Sequence, residues 1–84
     1  MKVTDADQLL SRITVRKDVF GGKPIIRDMR ISVELILSLL SKGVSREELR
    51  ADYPELEEDD IRACLAYAHA LVADTSLDAV RVQA

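Results

Sequence analysis

The stretch Gly21-Gly22-Lys23-Pro24-Ile25-Ile26-Arg27-Asp28-Met29-Arg30-Ile31-Ser32-Val33 constrains this chain more than any other part of it. Two glycines and a proline set a bend, because glycine reaches left-handed backbone and proline presets φ. Apolar and basic residues then alternate up to Ser32, a good helix N-cap. Ile25-Ile26-Arg27 and Arg30-Ile31-Ser32 read as two short strands around Asp28-Met29, with Asp tolerating the backbone of a tight turn. The stretch therefore reads as a short basic β-hairpin feeding directly into helices. That arrangement suits a small nucleic-acid-binding or dimerising module better than an enzyme.

The residues after Ser32 continue the pattern. Val33, Ile36, Leu37 and Leu40 fall at i, i+3, i+4 and i+7, with Leu35 and Leu39 beside them, so a first helix is expected to be broadly apolar and deeply buried. Lys42-Gly43 ends it. Ser45-Arg46-Glu47-Glu48 has the form of a capping box, opening a second helix that runs to about Asp52 and stops before Pro54. A third helix starts near Glu57 to Asp59 and runs to about Ala73. In it Ile61, Leu65, Ala68 and Val72 form one apolar stripe, and five alanines permit close approach. Upstream, Ile13-Thr14-Val15 reads as a strand and Lys17 to Gly22 as a loop, while Met1 to Ser11 carries at most one frayed helical turn. The expected fold is mainly α: a three-helix, helix-turn-helix (homeodomain-like) bundle over 33–73, with a short N-terminal β element over 12–32 and a tail over 74–84.

At 84 residues the chain is one domain. A domain this size buries only roughly 60% of its unfolded surface, which dimerisation would ease. No apolar run is long enough for a transmembrane helix, Met1-Lys2-Val3-Thr4-Asp5 lacks the apolar centre of a secretory leader, and Cys64 is a lone cysteine. These features lead to the expectation of a soluble cytoplasmic protein without membrane contact. The net charge of −3 is unevenly spread. Arg12, Arg16, Lys17, Lys23, Arg27 and Arg30 make residues 12–30 basic, whereas residues 31–84 are strongly acidic. Either an anionic partner meets the basic end, or the hairpin is merely a solvated cationic surface; composition alone does not choose.

Gly21-Gly22-Lys23-Pro24-Ile25-Ile26 with Arg30-Ile31-Ser32-Val33, then Gly43-Val44-Ser45 with Glu48, then Asp52-Tyr53-Pro54 with Leu56, resemble domain-of-unknown-function family 433, a bacterial family similar to the VapB-type antitoxins. The resemblance covers about residues 12–73. It departs from the family pattern where Asp28 and Met29 replace the usual Gly-Thr, where Ser32 replaces a common Pro, and where Glu57 replaces a Thr or Ser cap. The resemblance implies a homeodomain-like helix-turn-helix, often dimeric, and an antitoxin that binds operator DNA with its body and a PIN-domain-type ribonuclease toxin with its tail.

For DNA, the candidate residues are Arg12, Arg16, Lys17, Lys23, Arg27 and Arg30, since basic β-ribbons of a dimer can enter the major groove. The same side chains could instead pair with the acidic body, Arg30 with Glu34 or with a carboxylate of the last helix. That helix begins with Glu55, Glu57, Glu58, Asp59 and Asp60, which suit its dipole but repel phosphates. For the toxin, the candidates are Leu77, Val80, Arg81 and Val82, with Arg81 set to plug a carboxylate-rich active site by charge pairing. Consecutive helical carboxylates fan outward, so no metal site is expected. Cys64 and His69 have no triad or zinc partner and read as a core residue and a surface residue. The Gly-Gly-Lys-Pro run lacks phosphate-loop spacing. No cofactor and no catalytic residue are expected. The alternative to the antitoxin is a protein-interaction or dimerisation module that does not touch DNA.

Overall fold

A computed structural model describes residues 5–74. The chain is mainly helical, with one small antiparallel sheet. In order it forms α1 (Asp5–Leu10), β1 (Ile13–Val15), a 3₁₀ turn (Phe20–Gly22), β2 (Pro24–Ile26), α2 (Val33–Ser41), α3 (Arg46–Asp52) and α4 (Glu58–Asp74). Four α-helices thus stand among the described residues where three were expected. The extra one is α1, expected as one frayed turn. It packs against α4, and its Leu9 is buried. That burial, with an ion pair from Asp5 to Arg62 at 3.1 Å, holds a segment too short to be helical alone.

The strand pairing also differs from expectation. β1 pairs with β2 in the register Ile13↔Ile26, Thr14↔Ile25 and Val15↔Pro24. The expected second strand of the hairpin, 30–32, contributes a single bridge from Ser32 to Ile25. The reason is local. Met29 N–H donates to the Ile26 carbonyl at 2.9 Å, and Ile26 N–H to that of Ile31 at 3.1 Å, so the chain reverses in a tight turn. Ser32 is then committed to capping α2, its hydroxyl accepting from Leu35 N–H at 3.0 Å, and no strand can extend past it.

The helix boundaries follow from caps. α2 ends in a Schellman motif: Gly43 (φ 91°) supplies the left-handed residue, Val44 N–H donates to Leu39 and Gly43 N–H to Leu40. At α3, Glu48 N–H donates to the Ser45 hydroxyl (3.1 Å) and Ser45 N–H donates back to the Glu48 carboxylate (3.2 Å). Ile26, Val33, Ile36, Leu49, Leu56, Ile61 and Cys64 make one core where β2 and the three longer helices meet.

Two expectations about burial fail. In α2 only Val33 and Ile36 are buried, and Leu35 is exposed. In the expected stripe of α4 only Ile61 is buried; Leu65 is 41% and Val72 62% exposed. At 1.5 Å per residue α4 is about 25 Å long, against about 14 Å for α2 and about 11 Å for α3. Neither can cover it along its whole length. Among the described residues no helix is long and apolar enough to cross a membrane.

Candidate functional site

The start of α4 holds the densest polar constellation among the described residues. Asp60 is fully buried, and both its oxygens are engaged. Oδ1 accepts from Arg12 at 3.0 Å and from Arg27 Nε at 3.1 Å; Oδ2 accepts from a terminal guanidinium nitrogen of Arg27 at 2.7 Å and from Glu57 N–H at 2.8 Å. The last bond is the return half of a capping box, with an acid at the N3 position reaching back to the residue before the helix. Arg27 also donates to the Glu55 carbonyl (3.0 Å), and Arg12 to Glu57 (2.8 Å). Burial alone would push the Asp60 carboxyl up; the hydrogen bonds from Arg27, the Glu57 amide and Arg12 outweigh it and hold it below its ordinary range. The two guanidiniums are held charged in turn, Arg12 by hydrogen bonds to Glu57 and Asp60, and Arg27 by Asp60.

Arg27 sits at φ 50°, a left-handed backbone that costs a non-glycine residue about 1 kcal/mol. Its N–H donates to the Arg12 carbonyl (2.6 Å) and its carbonyl accepts from the Thr14 hydroxyl (2.5 Å), so β1 fixes that backbone. The turn aims the side chain at α4. Pairing of the basic segment with the acidic body was the alternative to DNA contact, with Arg30 as the cation for Glu34 or for a carboxylate of the last helix. The structure gives the helix carboxylate to Arg27 and Glu34 to Lys23, at 2.6 Å. Asp60 as the shared acceptor was not singled out from the sequence. The available signal was Asp60 standing three residues after Glu57, which marks N3.

The six residues proposed for DNA do not form one free basic face. Arg12 and Arg27 converge on Asp60. Lys23 pairs with Glu34, and Arg16 lies 3.4 Å from Asp18 and 3.7 Å from Asp28. Lys17 and Arg30 are exposed and join none of the ion pairs among the described residues. On α4, Arg62 is held by Asp5 and Asp59, and Glu58 by Arg46. Leu77, Val80, Arg81 and Val82 lie outside the described residues.

The other end of α4 is chemically opposite. Pro24, Val33, Leu37, Tyr67, Ala68 and Val72 line a groove of about 590 Å³ between α2 and α4. Its single charged lining residue, Glu34, is neutralised by Lys23. Leu65, Leu71 (52% exposed) and Val72 bring apolar surface to the adjoining face of α4.

Nucleophile and metal chemistry are not assembled among the described residues. Cys64 is buried in the core, and burial with the nearby Asp60 charge pushes its thiol up to about 12. His69 is exposed. No group of three His, Cys, Asp or Glu side chains is placed to hold a metal ion among the described residues.

The described residues form a short helical domain with a two-stranded ribbon, a densely paired charge cluster at the start of α4 and exposed apolar side chains further along that helix. The chain is a member of the family described as "Protein of unknown function (DUF433)", which it matches over residues 13–68. It is also similar to "Uncharacterized protein y4eO" of Sinorhizobium fredii (strain NBRC 101917 / NGR234), at 31% identity over 58 residues. That similarity covers 69% of this chain but 26% of the relative, so the chain spans about a quarter of the curated protein it matches. No solved structure matches it.

Proposed function

We propose that the chain acts by binding protein, and that its specific form is the antitoxin of a toxin–antitoxin pair, a cytoplasmic dimer whose partner is a PIN-like ribonuclease. Residues 75–84, with Leu77, Val80, Arg81 and Val82, are the segment assigned to that partner. The observation that carries the protein-binding part is the division of surface chemistry: most cations of the basic segment are neutralised within the chain, while Leu65 and Val72 face solvent. Nucleic-acid affinity draws chiefly on cations free to release counterions from phosphates. An apolar surface is instead what a protein partner covers. The resemblance to antitoxins supplies the identity of the partner. On this reading the chain has no catalytic role.

Operator DNA is the second reading. The exposed Lys17 and Arg30, and the helix-turn-helix layout that the sequence led us to expect of residues 33–73, favour it. Glu57, Glu58 and Asp59 at the start of α4, where a recognition helix would meet phosphates, oppose it. The test is a pull-down of the tagged chain from its native lysate, with bound protein and nucleic acid both identified. A small ribonuclease with a carboxylate active site, lost when residues 75–84 are deleted, is the expected result. Recovery of neither protein nor DNA would sink the antitoxin reading.

A further inference from the structure

We infer that α1 is a strap: it lifts from α4, hinging at Ser11–Arg12 while the rest of the domain stays folded, and so opens and closes the cleft that holds Arg12 and Arg27. This device goes beyond the proposed function and depends on neither a toxin nor DNA.

What holds α1 in place is slight. Its 6 residues fall well short of the about 12 that an isolated helix needs even to be marginal in water. Leu9 is its one buried residue. That side chain stands outside the core cluster built around Ile26, Ile36, Leu49 and Ile61. The ion pair from Asp5 to Arg62 is exposed on both sides, and such pairs contribute little. Against these ties stands the conformational entropy that the segment regains on release. Lifting α1 therefore costs far less than unfolding the domain, and it leaves the core shut.

Arg12 sets the hinge. Its guanidinium donates to Asp60 and Glu57, and its carbonyl accepts from Arg27 N–H, so the chain is tied to the body from this residue onward. The cleft lies just beside it. Gln8, Leu9 and Ser11 of the α1 segment line a space of about 450 Å³, and Arg12 and Arg27 line it too. Lifting α1 takes the first three away. The bonds from both guanidiniums to Asp60 do not involve α1, so the arginines keep their aim. The closed state screens them on that side. The open state presents them, still clamped, to solvent or to a partner.

The experiment is amide hydrogen exchange followed by NMR on the full chain and on Leu9→Ala. In the unaltered chain the Leu9, Leu10 and Ser11 amides are expected to be protected, but about a hundredfold less than those around Cys64 in α4. Leu9→Ala is expected to abolish the α1 protection and to leave that of α4 within about twofold. Phenylglyoxal labelling, mapped by mass spectrometry, reads the cleft itself. Arg12 and Arg27 are expected to react several-fold faster in Leu9→Ala than in the unaltered chain, with the exposed Arg50 of α3 as internal reference. Equal protection of α1 and α4 would overturn the inference, as would an α1 with no protection at all. So would a collapse of α4 protection in Leu9→Ala, or arginine reactivity that this substitution leaves unchanged.

Discussion

The two ends of α4 treat polarity in opposite ways. At its N-terminus a carboxylate, Asp60, is wholly buried, whereas seven to twelve residues on, Tyr67 is only partly covered and Leu71 and Val72 are largely exposed. Burial of a charge is costly unless it is paired and hydrogen-bonded. Asp60 has two guanidiniums and an amide, which together satisfy both its oxygens. Exposure of Val72 has the reverse origin, since the shorter α2 and α3 run out of length to cover the helix. The contrast teaches that available partners, more than residue type, assign positions along this helix to core or surface. It also separates what holds the domain together from what it offers to other molecules.

The contrast can be broken most directly at Asp60. Asp60→Ala removes the common acceptor of Arg12, Arg27 and the Glu57 amide, and is expected to cost about 3–5 kcal/mol in urea unfolding. A cost under about 1 kcal/mol would mean that the cluster is a surface feature after all. Next in size is a paired comparison along one stripe. Ile61→Ala is expected to cost about 2–5 kcal/mol, as a fully buried truncation. Leu65→Ala, four residues on, is expected to stay within about 0.5 kcal/mol when measured at a concentration low enough to keep the chain monomeric. Equal costs at the two positions would erase the distinction between the ends of α4.

Ser45→Ala sharpens the comparison from another helix. It removes an ordinary exposed cap at α3 and is expected to cost about 1 kcal/mol, clearly less than the loss of Asp60. Acid should produce the gentlest effect. Asp60 titrates below its ordinary value when folded, so its stabilising contribution is complete above that ordinary value, near 3.8, and is lost as pH falls through the folded value. Unfolding midpoints in urea at about pH 5 and about pH 3 should therefore fall more for the native chain than for Asp60→Asn. An identical acid response in the two proteins would remove Asp60 from the account.

Much of the helical layout was legible. The boundaries of α2, α3 and α4 lay in local chemistry: Ser32, the Ser45–Glu48 box, Gly43 and Pro54 act on backbone groups a few residues away, so a linear reading recovers them. The candidate site was legible only in outline. Charge asymmetry announced that a basic segment faced an acidic one, and an internal ion pair was among the readings. Which arginine makes it depends on Arg27 adopting φ 50° between β1 and the turn, a choice made by the β1–β2 pairing across 11 residues of chain. The α1 helix was legible only as one frayed turn, because six residues have too little propensity to hold a helix without the α4 surface beneath them.

By itself, then, the order of residues determined where the longer helices start and stop, that a short β element precedes them, that Cys64 lies in the core, and that one face of α4 is apolar. Those properties arise from capping, turn chemistry and periodicity, all acting over a few residues. Only the tertiary structure decided that Asp60 is buried, that Arg12 and Arg27 are drawn onto it, and that the apolar stripe of α4 is covered at Ile61 but open at Leu65 and Val72. Burial and pairing depend on which elements reach one another in space, and on how far each extends.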